Sequence, residues 1–252
     1  MNFFSLFKRK ILYKIKKKIN IDLDEVHKKT LDDLFYHYGS DKADIVKQRQ
    51  DDQGHGFSKF YTQHLKHLKE KEIKILEIGS YAGASAAAFI KFFKNSSVYC
   101  FDINISKFIF SAKKIHVYGL DINNENKLKK ILEKIKLESN SNFFDIIIDD
   151  GSHYLSDILF SLKTLFKYVK KGGFYIIEDF KHPNYYDYNR NIEHILVDQV
   201  LGNLQEKKIF NSDIIKNDDQ VYLHNNINEI KIYKGNLKDS DICFLQKSYT
   251  KV

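Results

Sequence analysis

The chain has 252 residues, 43% hydrophobic and 29% charged, the proportions of a globular protein and not of a disordered or fibrous one. Its formal net charge of +8 is unevenly placed: residues 1–20 hold Lys8, Arg9, Lys10, Lys14, Lys16, Lys17 and Lys18 and no acid, while the other 232 residues carry 34 basic and 33 acidic side chains. A nearly neutral body lacks the electrostatic footprint of a nucleic-acid enzyme. Two cysteines, Cys100 and Cys243, make neither a disulfide framework nor a thiolate metal site. The uncharged run Ile78–Ile90 is too short to span a bilayer.

Residues 1–20 read as a basic, partly amphipathic helical extension, with Phe7, Ile11, Ile15 and Ile19 recurring every four residues. The readings are packing on its own domain, contact with a second subunit, contact with a membrane surface, and contact with nucleic acid. Residues 21–70 read as a helical and loop-rich segment ahead of the core. From residue 71 to 252 strands and helices alternate. Strands are expected at 73–78, 97–101, 114–118, 143–148 and 174–177, and helices at 84–93, 123–138 and 155–170, the last stopped by Gly172-Gly173. A helix near 190–206 precedes two strands near 228–233 and 241–246, joined as a hairpin that adds an antiparallel strand at the edge. The fold class is therefore α/β, a doubly wound, seven-stranded, mostly parallel sheet.

Ligands of such sheets sit beyond the carboxyl ends of the strands. Those ends carry Gly79, Asp102, Asp121, Asp149-Asp150 and Glu178-Asp179. The first turn, Glu77-Ile-Gly79-Ser-Tyr-Ala-Gly83, has the spacing E-x-G-x-x-x-G and not the dinucleotide G-x-G-x-x-G. Asp102 follows 25 residues after Glu77, where a carboxylate can accept both hydroxyls of a ribose. At the fourth and fifth strand ends, Asp150, Glu178 and Asp179 could converge. Three carboxylates at one point repel unless a cation sits among them, and oxygen ligands suit Mg²⁺. His153, three residues past Asp150, is placed to act as a base.

These residues resemble the class I S-adenosylmethionine-dependent methyltransferases. The resemblance makes residues 71–252 the methyltransferase domain and 21–70 a cap over the cofactor. It assigns S-adenosylmethionine to Glu77, Gly79, Tyr81, Gly83, Asp102, Ile103, Asp121 and Asp149. The segments Ile148-Asp-Asp-Gly-Ser-His153 and Ile177-Glu-Asp-Phe180 are similar to a narrower group, the metal-dependent sugar O-methyltransferases of macrolide and related pathways and the cephalosporin hydroxylase-like proteins. That likeness implies Asp150, Glu178 and Asp179 as ligands of a divalent cation, most simply Mg²⁺, with His153 and Asp150 catalytic. Tyr38-Gly-Ser-Asp-Lys42 and His55-Gly-Phe-Ser-Lys-Phe-Tyr61 look like the segment that precedes the core in these proteins, with an insertion between the halves.

A poor nucleophile such as a sugar hydroxyl explains a site with both a metal and a base. The loop Lys181-His-Pro-Asn-Tyr-Tyr-Asp-Tyr-Asn-Arg190 offers tyrosines for stacking on a sugar and Lys181 or Arg190 for a phosphate. The expectation is O-methylation of a nucleotide-linked sugar for bacterial surface polysaccharide, in the cytoplasm or at the inner face of the membrane, with homo-oligomerisation open. The alternatives are a methyltransferase for another small molecule or for nucleic acid, and a non-catalytic assembly protein of the same fold. Nucleic acid is disfavoured by the neutral body and by the lack of an Asn/Asp-Pro-Pro-Tyr/Phe motif.

Overall fold

The computed structural model describes residues 3–26, 29–46, 52–141, 143–186 and 193–249. The helices are α1 (Phe3–Ile15), α2 (Leu31–Tyr38), α3 (Ser58–Leu65), α4 (Ala84–Phe92), α5 (Glu125–Ser139), α6 (Leu155–Leu165), α7 (His182–Tyr185), α8 (Val197–Gln205) and α9 (Asn217–Asn226). The strands are β1 (Ile19–Asn20), β2 (Glu72–Ile78), β3 (Asn95–Asp102), β4 (Phe110–Ser111), β5 (Ile115–Gly119), β6 (Phe144–Asp149), β7 (Val169–Glu178), β8 (Ile227–Lys234) and β9 (Asp241–Lys247). Seven of them form one sheet in the order β5-β3-β2-β6-β7-β9-β8. Only β9 pairs antiparallel to its neighbours β7 and β8. The expected hairpin is present, but its antiparallel member lies inside the sheet and β8 forms the edge. β9 repays that position: Ile242, Cys243, Phe244 and Leu245 are all buried, whereas β8 is mostly exposed.

The chain separates into two compact units, residues 1–131 with 235–238, and residues 132–234 with 239–252. In the first, α2 is opened by a reciprocal cap between Thr30 and Asp33 and closed by Gly39 at φ 79°. Its Phe35 meets Tyr61 of α3 and Phe89 of α4 edge-on at 6.1 and 5.4 Å between ring centres. α4 is short-chained on its buried face, with Ala86, Ala87 and Ala88 all fully buried, which lets a helix lie close on a sheet. The insertion after Lys42 folds back on itself. Val46 N donates to Asp52 O, His55 N to Asp41 O and Phe57 N to Lys42 O, at 2.7, 2.7 and 2.9 Å. The two halves of the pre-core segment are thereby rejoined. Residues 47–51 lie outside the described part.

In the second unit α6 ends earlier than its sequence suggests. The helix stops at Leu165, one 3₁₀ turn covers Phe166–Tyr168, and β7 begins at Val169. Gly172-Gly173 therefore lies in a strand. A side chain on Gly173 would stand 2.5 Å from Asp145 O of β6, and the register of β6 and β7 shifts there, so the glycines serve close approach of two strands. Both cysteines are buried free thiols.

Candidate active site

The first unit presents the glycine turn and the acid of β3. Strand β2 ends at Ile78, and Gly79 (φ 83°), Tyr81 (φ 43°) and Gly83 (φ 82°) carry the chain into α4. Left-handed geometry at Gly83 suits glycine alone for a second reason: a Cβ there would stand 2.4 Å from the ring of Phe108. The glycine loop is thus shaped partly by Phe108, a residue the sequence reading did not single out. Asp102 spans the turn, one carboxylate oxygen accepting from Tyr81 N at 2.7 Å and the other from Asn104 N. Each oxygen keeps lone-pair capacity for a further donor. Glu77 is fully buried, and its carboxylate accepts from Ser85 Oγ, tying β2 to α4. Ile103 gives its carbonyl to Arg9 of α1 at 3.0 Å. Asp121, two residues past β5, accepts from Asn123 N at 3.2 Å.

The second unit brings together Asp150, His153 and Asp179. One ligand-type atom from each lies within 4.8 Å of the others, the one such group recognised among the described residues. His153 Nε2 stands 3.6 Å from Asp150 Oδ1, and both side chains are partly exposed. β6 and β7 pair in parallel with Asp149 opposite Ile177, which sets the residues that follow, Asp150 and Glu178-Asp179, at one sheet edge. His153 (φ 56°) and Asp179 (φ 49°) adopt left-handed backbone, a costly conformation that is held by the surrounding structure and is enriched at functional sites. Glu178 is buried and belongs to β7 itself, outside the cluster of three.

Asp149 is also buried. Its removal from water pushes its carboxyl up to about 7, against the hydrogen bond from Tyr175 Oη at 3.3 Å and with the neighbouring Asp150 adding to the rise. The loop after β7 contributes an aromatic stack. The ring of His182 lies 5.7 Å from that of His153 and 4.3 Å from that of Tyr186. Burial lowers the pKa of His182, and His153 beside it acts in the same direction. His182 was present in the sequence segment but carried no spacing signal of its own. Lys181, expected to be available for a phosphate, is paired with the buried Asp241 at 3.2 Å, and Asp241 also holds Lys234 at 2.9 Å. Tyr188 and Arg190 lie outside the described residues.

His55 and Tyr61 are both buried in the first unit. Tyr61 joins the aromatic cluster with Phe35 and Phe89, and His55 lies against Phe57 with Nε2 3.9 Å from Asp41.

Residues 76–180 match the model of a methyltransferase domain family. Among curated proteins, the chain is 30% identical over 132 residues to the mycinamicin VI 2''-O-methyltransferase of Micromonospora griseorubida, covering 50% of this chain and 31% of that protein. It is 31% identical over 132 residues to the demethylmacrocin O-methyltransferase of Streptomyces fradiae (50% and 32%). It is also 31% identical over 156 residues to the L-olivosyl-oleandolide 3-O-methyltransferase of Streptomyces antibioticus (59% and 36%). The match spans about a third of the length of these relatives. Among solved structures, the MycE methyltransferase of the mycinamycin pathway, in complex with Mg, SAH and mycinamycin VI, superposes with a TM-score of 0.63 at 22% identity. That match covers 88% of this chain and 55% of that one, a likeness of fold. Residues 76–180 thus match a methyltransferase domain on a Rossmann-like sheet, and the chain resembles the class I S-adenosylmethionine-dependent methyltransferases, its named relatives being O-methyltransferases.

Proposed function

We propose that this protein transfers the methyl group of S-adenosylmethionine to a hydroxyl of a sugar-bearing small molecule, with the assistance of a divalent cation, Mg²⁺ in the simplest case. The observation that carries the reading is the convergence of Asp150, His153 and Asp179 at the ends of two paired strands. Two carboxylates are oxygen donors that fit a hard divalent cation, and the His153 imidazole stands beside them in the role of base. Asp150 and Asp179, with Glu178 beside them on β7, would hold the ion. A bound cation lowers the pKa of a hydroxyl that approaches it.

The chain's own residues supply the rest. Asp102, already fixed by Tyr81 N and Asn104 N, is oriented to accept ribose hydroxyls. Gly79 and Gly83, both with left-handed backbone, shape the turn that would take the methionine portion. His153 removes the acceptor proton at Nε2, and the Asp150 carboxylate 3.6 Å away stabilises the imidazolium that forms. Holding the acceptor oxygen in line with the methyl carbon supplies much of the acceleration, since positioning is worth roughly 7–11 kcal/mol.

For the acceptor, the relatives' names point to glycosides such as L-olivosyl-oleandolide and rhamnosyl tetracenomycin-C. The nucleotide-linked sugar of surface polysaccharide synthesis rests on less, because Lys181 is engaged by Asp241.

Titration of S-adenosylhomocysteine into the full chain by calorimetry tests the cofactor half. Binding that Asp102→Ala weakens by about tenfold or more agrees with loss of two charge-assisted hydrogen bonds. An unchanged affinity in that variant contradicts the assignment. A mass-spectrometric screen of such glycosides and of nucleotide sugars for a methyl adduct then decides the acceptor class.

A further inference from the structure

Helix α1 packs with the side that its sequence pattern would leave outside. Arg9, Tyr13 and Lys16 face the domain. Arg9 reaches Ile103 O, Tyr13 meets the ring of Phe108 edge-on at 6.4 Å, and Lys16 Nζ bonds Ser106 O and Lys107 O at 3.2 and 3.3 Å. Just past the helix, Lys18 Nζ bonds Phe108 O at 2.8 Å and lies 3.8 Å over the Tyr13 ring. The carbonyls of the turn Ile105–Lys107 are thus capped by lysines, which suits the negative end of a helical turn. The apolar stripe is left in water: Phe7 is 55% exposed, Ile11 44% and Ile15 74%, with Leu12 beside them. At 100° per residue, Lys14 and Lys8 flank that stripe, and both are exposed, as is Lys17.

We infer that the outer face of α1 docks on an anionic lipid surface, inserting Phe7, Ile11 and Ile15 among the acyl chains while Lys8, Lys14 and Lys17 meet the headgroups. An exposed apolar row bordered by lysines is the pattern of an interfacial helix. Charge selects the occupant. Residues 1–20 carry seven basic side chains and no acid, so pairing α1 with α1 of a second copy brings like charges together, whereas anionic headgroups complement them. No helix among the described residues is long and apolar enough to cross a membrane, so the contact is one of surface binding. Arg9 on the inner side bonds the carbonyl next to Asp102, so a docked α1 would fix the cofactor turn of the first unit relative to the lipid plane.

The test is sedimentation of the full chain with vesicles of phosphatidylcholine containing phosphatidylglycerol, and with phosphatidylcholine alone. The expected result is binding to the anionic vesicles alone, lost at about 1 M salt, where the screening length falls to about 3 Å. Ile11→Asp with Ile15→Asp, and separately Lys8→Glu with Lys14→Glu and Lys17→Glu, should each lower the bound fraction about tenfold. Both sets are exposed and lie apart from the inner-face contacts of Arg9, Tyr13 and Lys16, so the circular dichroism melt and S-adenosylhomocysteine affinity should not move. Absence of binding to anionic vesicles at low salt, equal binding to neutral ones, or a dimer in light scattering that the Ile11→Asp and Ile15→Asp changes dissolve would each overturn the inference. None of these readings depends on methyl transfer.

Discussion

Gly83 shows how a residue can be identified correctly for an incomplete reason. Its place in a strand-to-helix turn is legible from spacing, and the natural expectation is close approach of a ligand to bare backbone. The structure adds Phe108, whose ring occupies the space a side chain would need, and a φ of 82° that favours glycine anyway. Gly83→Ala should therefore cost about 2 kcal/mol in a denaturant melt as well as weakening cofactor binding. A variant that melts like the wild type but binds poorly would restore the simpler view. His153 has two possible duties, base or ligand, because its imidazole lies within the same 4.8 Å group as the carboxylates. His153→Ala separates them: a base leaves Mn²⁺ affinity intact and lowers turnover by roughly 10²–10⁴-fold, whereas a ligand loses metal affinity as well. The candidate acids Asp150 and Asp179 were legible because each follows a buried hydrophobic strand. Glu178 and Asp179 were not separable by sequence, since only the turn after β7, with Asp179 at φ 49°, decides which carboxylate joins the cluster.

At the level of elements, apolar strands and the small-residue helix α4 were readable because burial alone dictates their composition. Three features were not. Gly172-Gly173 looks like a helix stop but serves strand packing, and local sequence contains no sign of β6. The order β7-β9-β8 places the last strand inside the sheet, which a hairpin pattern does not specify. Helix α9, Asn217–Asn226, is half Asn and Asp, poor helix formers. It is held by tertiary bonds: the Gln220 side chain accepts from Phe210 N and donates to Phe210 O and Ile215 O. The loop before α8 depends on a similar device. Buried Glu193 accepts from His194 N and Ile195 N with one oxygen, and from Ser212 Oγ, Asp213 N and Ile214 N with the other. Burial alone would raise its pKa, but the Ser212 hydroxyl and the backbone N–H groups outweigh it and hold the carboxyl below its usual 4.5. Its stabilisation is thus complete above the unfolded-state pKa and is lost as pH falls through the lower native value. Glu193→Gln should lose about 2 kcal/mol at neutral pH, and the gap to wild type should close in acid. A gap independent of pH would contradict this role.

For the molecule as a whole, the net charge of +8 proved to be two separate facts. The basic extension uses Arg9, Lys16 and Lys18 to hold α1 to the first unit and presents its remaining lysines outward. The body, close to neutral, sets Asp102, Asp121, Asp149, Asp150, Glu178 and Asp179 at or just past the carboxyl ends of its strands, where a total over the sequence cannot register them. The fold class followed from alternation of elements, and the likeness to a solved methyltransferase fold agrees with it. Acceptor identity was not legible, because the sequence of the loop after β7 offers interchangeable tyrosines and no residue that singles out one sugar.

The most direct test of the proposed chemistry is methyl transfer by the purified full chain from labelled S-adenosylmethionine to a glycoside found by the screen, with Mg²⁺ or with excess EDTA. The account predicts label on a sugar hydroxyl with Mg²⁺, loss of turnover on chelation, and recovery when Mg²⁺ is restored. Full turnover in excess EDTA would contradict it.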